Sequence, residues 1–390
     1  MEPDRSLRLS LWEGTLAVLF LNWSTGVLVT GYALALGAPP LALALLGALP
    51  FLAQLTAPLA PFLRGSRKAW AVRLNLASRL LFVPAILSPF LPEGLRVPGL
   101  LLFAAFSQLL AAPVGVLWLS WMADLVPPER RGRYFGFRNA LLGLVGTLGN
   151  ALGGLVADTL PPPTGYQAVL LLGVGAGLLS VWVLRLQTEP PKPSPPPPRA
   201  ALRAAFQDRA YRRYLSRVLL WYGAVMVGGP FVVPYFVQVG GLSMAAVGLW
   251  TLLSATSGLV FGPLWGRLAD REGHGVVLFR AGMVGALMPA LWLLGSPTFP
   301  WPIWLSAVAD ALAWSGLSTA MANAALARAP EEVRGGYLAL FWLALGLGGL
   351  GGSLLAGGIA HLGLGPSPYH LPILVSLGLR LLVALSLRRL

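Results

Sequence analysis

Apolar residues run along this chain in blocks too long for the helices of a soluble core, and charged residues gather in the short gaps between them. A helix needs about 20 predominantly apolar residues to cross a hydrocarbon layer of roughly 30 Å. Twelve segments meet that requirement: 12–36, 41–63, 69–90, 97–123, 134–158 and 165–186, then, after a break, 214–239, 243–268, 275–294, 301–327, 337–361 and 368–387. The pattern therefore predicts an all-α membrane protein. The first apolar run is too long for the core of a cleavable signal and reads as a span. Twelve spans put both termini and every second gap on one side. Of 28 lysines and arginines only Arg96 falls on the other side, and the positive-inside rule makes the first side cytoplasmic.

The pattern also repeats. Sliding the chain by 203 residues lays Pro127 on Pro330, Arg131 on Arg334, Gly132 on Gly335 and Tyr134 on Tyr337. The same shift lays Gly143, Gly146, Gly149 and Gly154 on Gly346, Gly349, Gly352 and Gly357. A repeat of half the chain predicts two six-helix bundles of like structure. The expected division is 1–187 for the first bundle, 188–213 for a linker and 214–390 for the second. The linker opens on EPPKPSPPPP, a semi-rigid polyproline spacer. It continues through Leu202, Phe206 and Tyr214 among arginines, the pattern of a short amphipathic helix on the inner membrane surface.

Composition fits lipid: 56% of residues are hydrophobic and 11% charged, where soluble proteins carry roughly 25% charged residues. The net charge of +14 is confined to gaps and helix ends, which argues against a nucleic-acid partner. The absence of cysteine rules out disulfides and thiolate chemistry. Neither a phosphate-binding G-x-x-x-x-G-K-[ST] nor H-E-x-x-H nor G-x-S-x-G occurs, so an enzyme, a cofactor or a resident metal is not expected.

Two loops carry a family resemblance. Gly266-Arg267-Leu268-Ala269-Asp270-Arg271-Glu272-Gly273-His274 is similar to the G-x-L-a-D-r-x-G-r loop of the major facilitator superfamily, and Arg64-Gly65-Ser66-Arg67-Lys68 stands at the matching place in the first half. The resemblance implies alternating access by a secondary transporter, and gate loops that face helix starts in the opposite half. Asp270 would face Arg131 and Arg133; Arg64 and Arg67 would face Glu331 and Glu332. It further implies that spans one, four, seven and ten line a cavity, giving Asn22, Gln108, Tyr222, Asp310 and Trp314 as lining candidates, with Asn139 of span five beside them. The run Gly149-Asn150-Ala151-Leu152-Gly153-Gly154 resembles the G-P-x-x-G-G signature of drug–proton antiporters, but Ala105 stands where their fourth-span arginine belongs.

Asp310 carries the functional expectation. It lies about nine residues inside its span, roughly 13 Å deep, where a carboxylate is costly and suits proton coupling or recognition of a cation. Proton-coupled export of amphipathic or cationic compounds is the leading reading. Uptake or facilitated diffusion of a polar solute such as a sugar is the alternative, and a sensor or assembly factor without flux is a third. The lack of paired buried acids and bases argues against an anionic substrate. Arg138, with Gln54, is a weaker lining candidate whose alternative reading is snorkelling to the inner surface; Glu13 and Asp158 read as solvated at the interfaces, and Asp124 as pairing with Arg131, Arg79 or a neighbouring helix start. The glycine face of span five is expected where the halves slide past each other. The partners expected are a small-molecule substrate, protons and the bilayer, for a monomer in a bacterial plasma membrane.

Overall fold

The computed structural model describes residues 2–63, 65–190, 198–330 and 333–388, and among them the chain is almost wholly helical. The first half comprises α1 (Glu2–Thr25), α2 (Val27–Ala35), α3 (Pro40–Gln54), α4 (Arg67–Ile86), α5 (Glu93–Leu125), α6 (Pro128–Thr159) and α7 (Thr164–Arg185). The second comprises α8 (Pro198–Gln207), α9 (Arg209–Gly228), α10 (Val232–Gln238), α11 (Met244–Glu272), α12 (His274–Leu294), α13 (Trp301–Ala327), α14 (Arg334–His361) and α15 (His370–Leu387). Eleven helical stretches are long and apolar enough to cross a membrane. The twelfth expected span is α13, a helix of 27 residues, in which Asp310 and serines 306, 315 and 318 dilute the apolar run.

Spans one and seven are broken helices, and the breaks repeat. α1 gives way to α2 at Gly26, and α9 gives way to α10 through a short 3₁₀ turn beginning at Gly229, which is Gly26 shifted by 203. Gly229 is followed by Pro230, which has no N–H to continue the α-helical ladder.

Two compact units emerge. One holds residues 1–38, 52–194 and 244–248; the other holds 39–51, 195–243 and 249–390. In the first, α1 packs on α6 and α7, and α4 packs on α5 and α7. In the second, α9 packs on α14 and α15, and α12 packs on α13 and α15. Without a hydrophobic driving force between helices in lipid, small residues that admit close approach decide these contacts. A Cβ on Gly348 or Gly352 would lie 2.2 Å from the carbonyl oxygen of Leu219 or Gly223 on α9. The face of span five expected to slide is in part a packing seam: Gly146, Gly149 and Gly153 receive Asn22, Leu19, Trp23 and Leu28 of α1 and α2, while Asn150 and Gly154 lie against Gly248 and Met244 of α11. Trp23 Nε1 donates to Gly149 O across it at 3.2 Å.

The linker region contains the expected amphipathic helix. Its Ala201 and Ala205 are buried and α8 packs on α14, so its inner face meets protein while Phe206 stays exposed. Asp208 then caps α9 by accepting from Tyr211 N at 3.0 Å, and it also accepts from the Tyr337 hydroxyl at 3.0 Å.

The α9–α14 approach makes a direct prediction. Gly352→Val forces the two backbones apart and should destabilise the protein by about 1–3 kcal/mol, seen as a lower melting temperature in detergent. Gly351→Val, where an added side chain meets nothing within 4 Å, should leave the melting temperature unchanged.

Candidate functional site

In the second unit, α13 carries Asp310 and, one turn on, Trp314. Ser254 Oγ on α11 donates to Asp310 Oδ2 at 2.6 Å. Trp314 meets Tyr222 of α9 with ring centroids 6.0 Å apart, and Tyr222 in turn meets Phe51 at 6.4 Å. Trp314 and Tyr222 thus meet on a half-buried aromatic wall, one turn along α13 from Asp310. Ser254 and Phe51 join them without having been anticipated.

The carboxylate is not alone in charge. Arg380 of α15, 2% exposed, lies close enough for its charge to act on Asp310. The apolar pattern of the last span gives no sign of this partner. Arg380 is fully engaged: Nε donates to Ser376 Oγ at 3.0 Å, and its two terminal nitrogens donate to the carbonyls of Gly285 and Val225 at 3.0 and 3.1 Å. Its guanidinium also lies 5.4 Å from the centre of the Trp292 ring.

In the first unit, Gln108 of α5 is buried and its amide has no partner among the described residues. Asn22 rests against Gly146 of α6, and Asn139 is exposed on α6. Their neighbourhood holds charges that were read otherwise. Glu13 is 6% exposed and Arg138 8%, and Arg138 Nη2 lies 3.4 Å from Glu13 Oε2. Glu13 is therefore not solvated at an interface and Arg138 does not snorkel. The reason is that α1 starts ten residues earlier than the apolar run suggested, placing Glu13 three turns inside. Arg79 of α4, 2% exposed, acts on the same carboxylate.

At the ends of α4, α5 and α7 lies a second polar knot. Arg67, 2% exposed, pairs with both Asp124 and Glu189. Asp124 thus pairs at a neighbouring helix start, with Arg67, the residue that opens α4. Glu189 accepts from Arg67 N at 2.7 Å and from the Ser66 hydroxyl, while Lys68 Nζ donates to Gln187 O at 2.7 Å. Burial pushes the Glu189 carboxyl up, but the Ser66 hydroxyl, the Arg67 and Lys68 backbone N–H groups and the Arg67 guanidinium outweigh it and hold it below the ordinary glutamate range. Of the expected gate residues, Arg64, Glu331 and Glu332 lie outside the described residues, as do the side chains of Asp270, Arg131 and Arg133. Asp158 accepts from Ala245 N at 2.8 Å, capping the start of α11.

Broken first and seventh spans, glycine seams repeated at one shift, and a lone carboxylate on the tenth span describe a solute-handling bundle pair. The family model for the Major Facilitator Superfamily matches residues 11–353. The chain belongs to this superfamily. It is a multi-pass membrane protein of a transporter family rather than an enzyme. No curated protein sequence matches it. Among solved structures, the nucleoside transporter NupG is similar, with 14% identity, TM-score 0.74 and 98% of each chain covered. A bacterial homologue of the human lysosomal transporter Spinster, inward-facing and unoccupied, shows 16% identity and TM-score 0.73, covering 100% of this chain and 96% of its own. A D-xylose–proton symporter shows 16% identity and TM-score 0.72, with 97% of this chain and 96% of its own covered. At such identities the likeness is one of fold.

The Glu189 knot is testable by pH. A carboxyl held below its unfolded value near 4.5 adds stability above that pH, and the gain disappears as pH falls through the folded value. Glu189→Gln should lower the melting temperature at neutral pH, and the difference from the natural protein should close in strong acid.

Proposed function

We propose that this superfamily member is a proton-coupled secondary transporter of a small organic molecule, with Asp310 as the coupling carboxylate. The observation that supports this is the Ser254–Asp310 hydrogen bond of 2.6 Å in the field of a fully engaged Arg380. Protonating Asp310 would turn an acceptor into a donor towards Ser254 and leave Arg380 without its counter-charge. That change can bias two arrangements of α11, α13 and α15. Arg380 offsets the negative charge of Asp310, which favours proton coupling over recognition of a cationic drug. Tyr222, Trp314 and Phe51 supply an apolar wall for a solute beside it. A polar solute remains a second reading, supported by the unpartnered Gln108 amide and by Asn22.

We place both termini in the cytoplasm of a bacterium, with the chain acting as a monomer in the plasma membrane. The arginines opening α6, Arg131 and Arg133, would close against Asp270, and Arg64 against Glu331 and Glu332, on that same side. Arg67, committed to Asp124 and Glu189, would hold the start of α4 rigid behind the gate.

A ligand panel read by thermal shift tests the coupling. A true ligand stabilises the protein in proportion to ln(1 + [L]/Kd). The stabilisation should change between pH values on either side of neutrality, and it should lose that dependence in Asp310→Asn. Ligand binding that responds to neither would remove Asp310 from the mechanism. Flux of the same ligand into proteoliposomes separates a transporter from a sensor. For the gate, Asp270→Asn should shift spin-label distances between the two halves towards the inward-open state; unchanged distances would exclude Asp270.

A further inference from the structure

The two units balance their buried charge differently. In the second, one arginine faces one aspartate, and every nitrogen of Arg380 has an acceptor. In the first, Arg138 pairs with Glu13 and Arg79 lies within reach of the same charge, leaving a net charge of +2 − 1 = +1 among three residues that are each less than 9% exposed. Their hydrogen bonding is correspondingly poor. Among the described residues Arg79 donates only to Ser78 Oγ at 3.3 Å, and Arg138 only to Glu13 at 3.4 Å. Nε of both arginines, Nε1 of Trp118 and both ends of the Gln108 amide have no partner.

Of these groups, Arg79, Arg138 and Trp118 gather around Glu13. The Arg138 guanidinium lies 3.9 Å from the centre of the Trp118 ring, and that of Arg79 lies 4.5 Å from the centre of the Phe20 ring. Ser78, the hydrogen-bond partner of Arg79, is 3.2 Å from Ser107 of α5; Gln108, ten residues and about 15 Å of helix rise from Trp118, stands apart from this cluster. Glu13, Arg79 and Arg138 each lie 10–12 residues from the start of their helix, and α1, α4 and α6 all start on the same side; at 1.5 Å per residue the three share a depth of about 15–18 Å. Aromatic faces soften the cost of a buried cation, but they supply no counter-charge. An uncompensated charge within a span is among the most costly groups a membrane bundle can hold, and marks function rather than packing.

We propose that Arg79, Arg138 and Trp118 form the recognition site for an anionic group, a carboxylate or a phosphate, on the transported solute. A guanidinium presents its donors in a planar fork that matches either group, and the Trp118 indole N–H is a further free donor. The single positive charge in excess of Glu13 is what a monoanion neutralises. The expectation that an anionic substrate is disfavoured is thereby reversed, since it rested on Glu13 and Arg138 being solvated. The proposal rests on the reading of the chain as a solute transporter.

Binding to the full-length protein in neutral-lipid nanodiscs tests it. Benzoate, benzyl alcohol and benzylammonium share one ring and differ in charge; acetate and inorganic phosphate complete the panel. Thermal stabilisation is expected from benzoate, acetate or phosphate, and none from the neutral and cationic probes. Which anion responds separates carboxylate from phosphate. Arg138→Gln should weaken the responding anion at least about tenfold, and Glu13→Gln, which removes a like charge, should tighten it at least about tenfold. A merely structural cluster has no reason to gain affinity when its only acid is lost. No stabilisation by any anion, or equal effects from all three ring probes, overturns the proposal. Stabilisation by added phosphatidylglycerol without response to soluble anions assigns the charge to lipid and overturns it too. Anion binding without flux in proteoliposomes would instead refute the transporter reading and leave the site.

Discussion

A charge that cannot reach water must be answered from inside the bundle, and this requirement shapes both units. Arg380 meets it with a carbonyl from α9, a carbonyl from α12, the Ser376 hydroxyl on its own helix and the field of Asp310. The two carbonyls tie α9 and α12 to α15. The Glu13–Arg138 pair plays the same part in the first unit, where α1 and α6 close on each other around it. Removing one partner from such a pair leaves the other stranded in low dielectric, which is far costlier than the pair itself is worth. Rigidity around these residues is therefore a by-product of keeping ions buried.

The two halves solve the same packing problem with exchanged parts. Under the 203-residue shift, Arg79 falls on Gly282 and Gly177 falls on Arg380. In the first unit the arginine comes from α4 and lies over the glycine of α7: a Cβ on Gly177 would sit 2.9 Å from Arg79 Cγ. In the second the arginine comes from α15, and the glycine of α12 meets Ala384 and Leu387, one turn along. One side of the helix pair supplies bulk and charge while the other leaves room. Asp310 falls on Ser107, so the acid has no counterpart in the first half. Glu13 likewise falls on Ser216, so each unit holds one such acid, and the surplus of the first comes from Arg138, which falls on Phe341.

The architecture was plain from apolar blocks and the repeat, because lipid imposes a length on every span and a duplicated chain keeps its glycines where helices touch. The breaks at Gly26 and Gly229 obey the same shift. Asp310, Trp314 and Tyr222 could be picked out because acids and paired aromatics deep in a span are rare. Glu13 and Arg138 were misplaced by the opposite logic: they fall near the edge of an apolar window, and hydropathy cannot see that α1 and α6 extend as helix well past it. Arg380 escaped notice because an arginine three turns from a chain end looks like a cytoplasmic anchor. Its pairing with Gly177 in the repeat was the available signal. Ser254 and Gln108 show the remaining limit, since whether a small polar side chain meets a partner is decided by helix rotation.

The charged spans also constrain how the chain is made. α4 has the lowest mean hydropathy, 1.2, among the eleven apolar stretches, and α13 falls outside them. Each carries a charge whose relief comes from other helices: Glu13 of α1 for Arg79, and Ser254 of α11 and Arg380 of α15 for Asp310. An arginine or aspartate at the centre of a lone helix opposes insertion by roughly 2.5–3.5 kcal/mol. Glu13 precedes Arg79 in synthesis, so α4 can leave the translocon with its counter-ion already waiting. Asp310 finds Ser254 ahead of it but Arg380 only when the last helix emerges. The second unit therefore cannot finish assembling until α15 has been made.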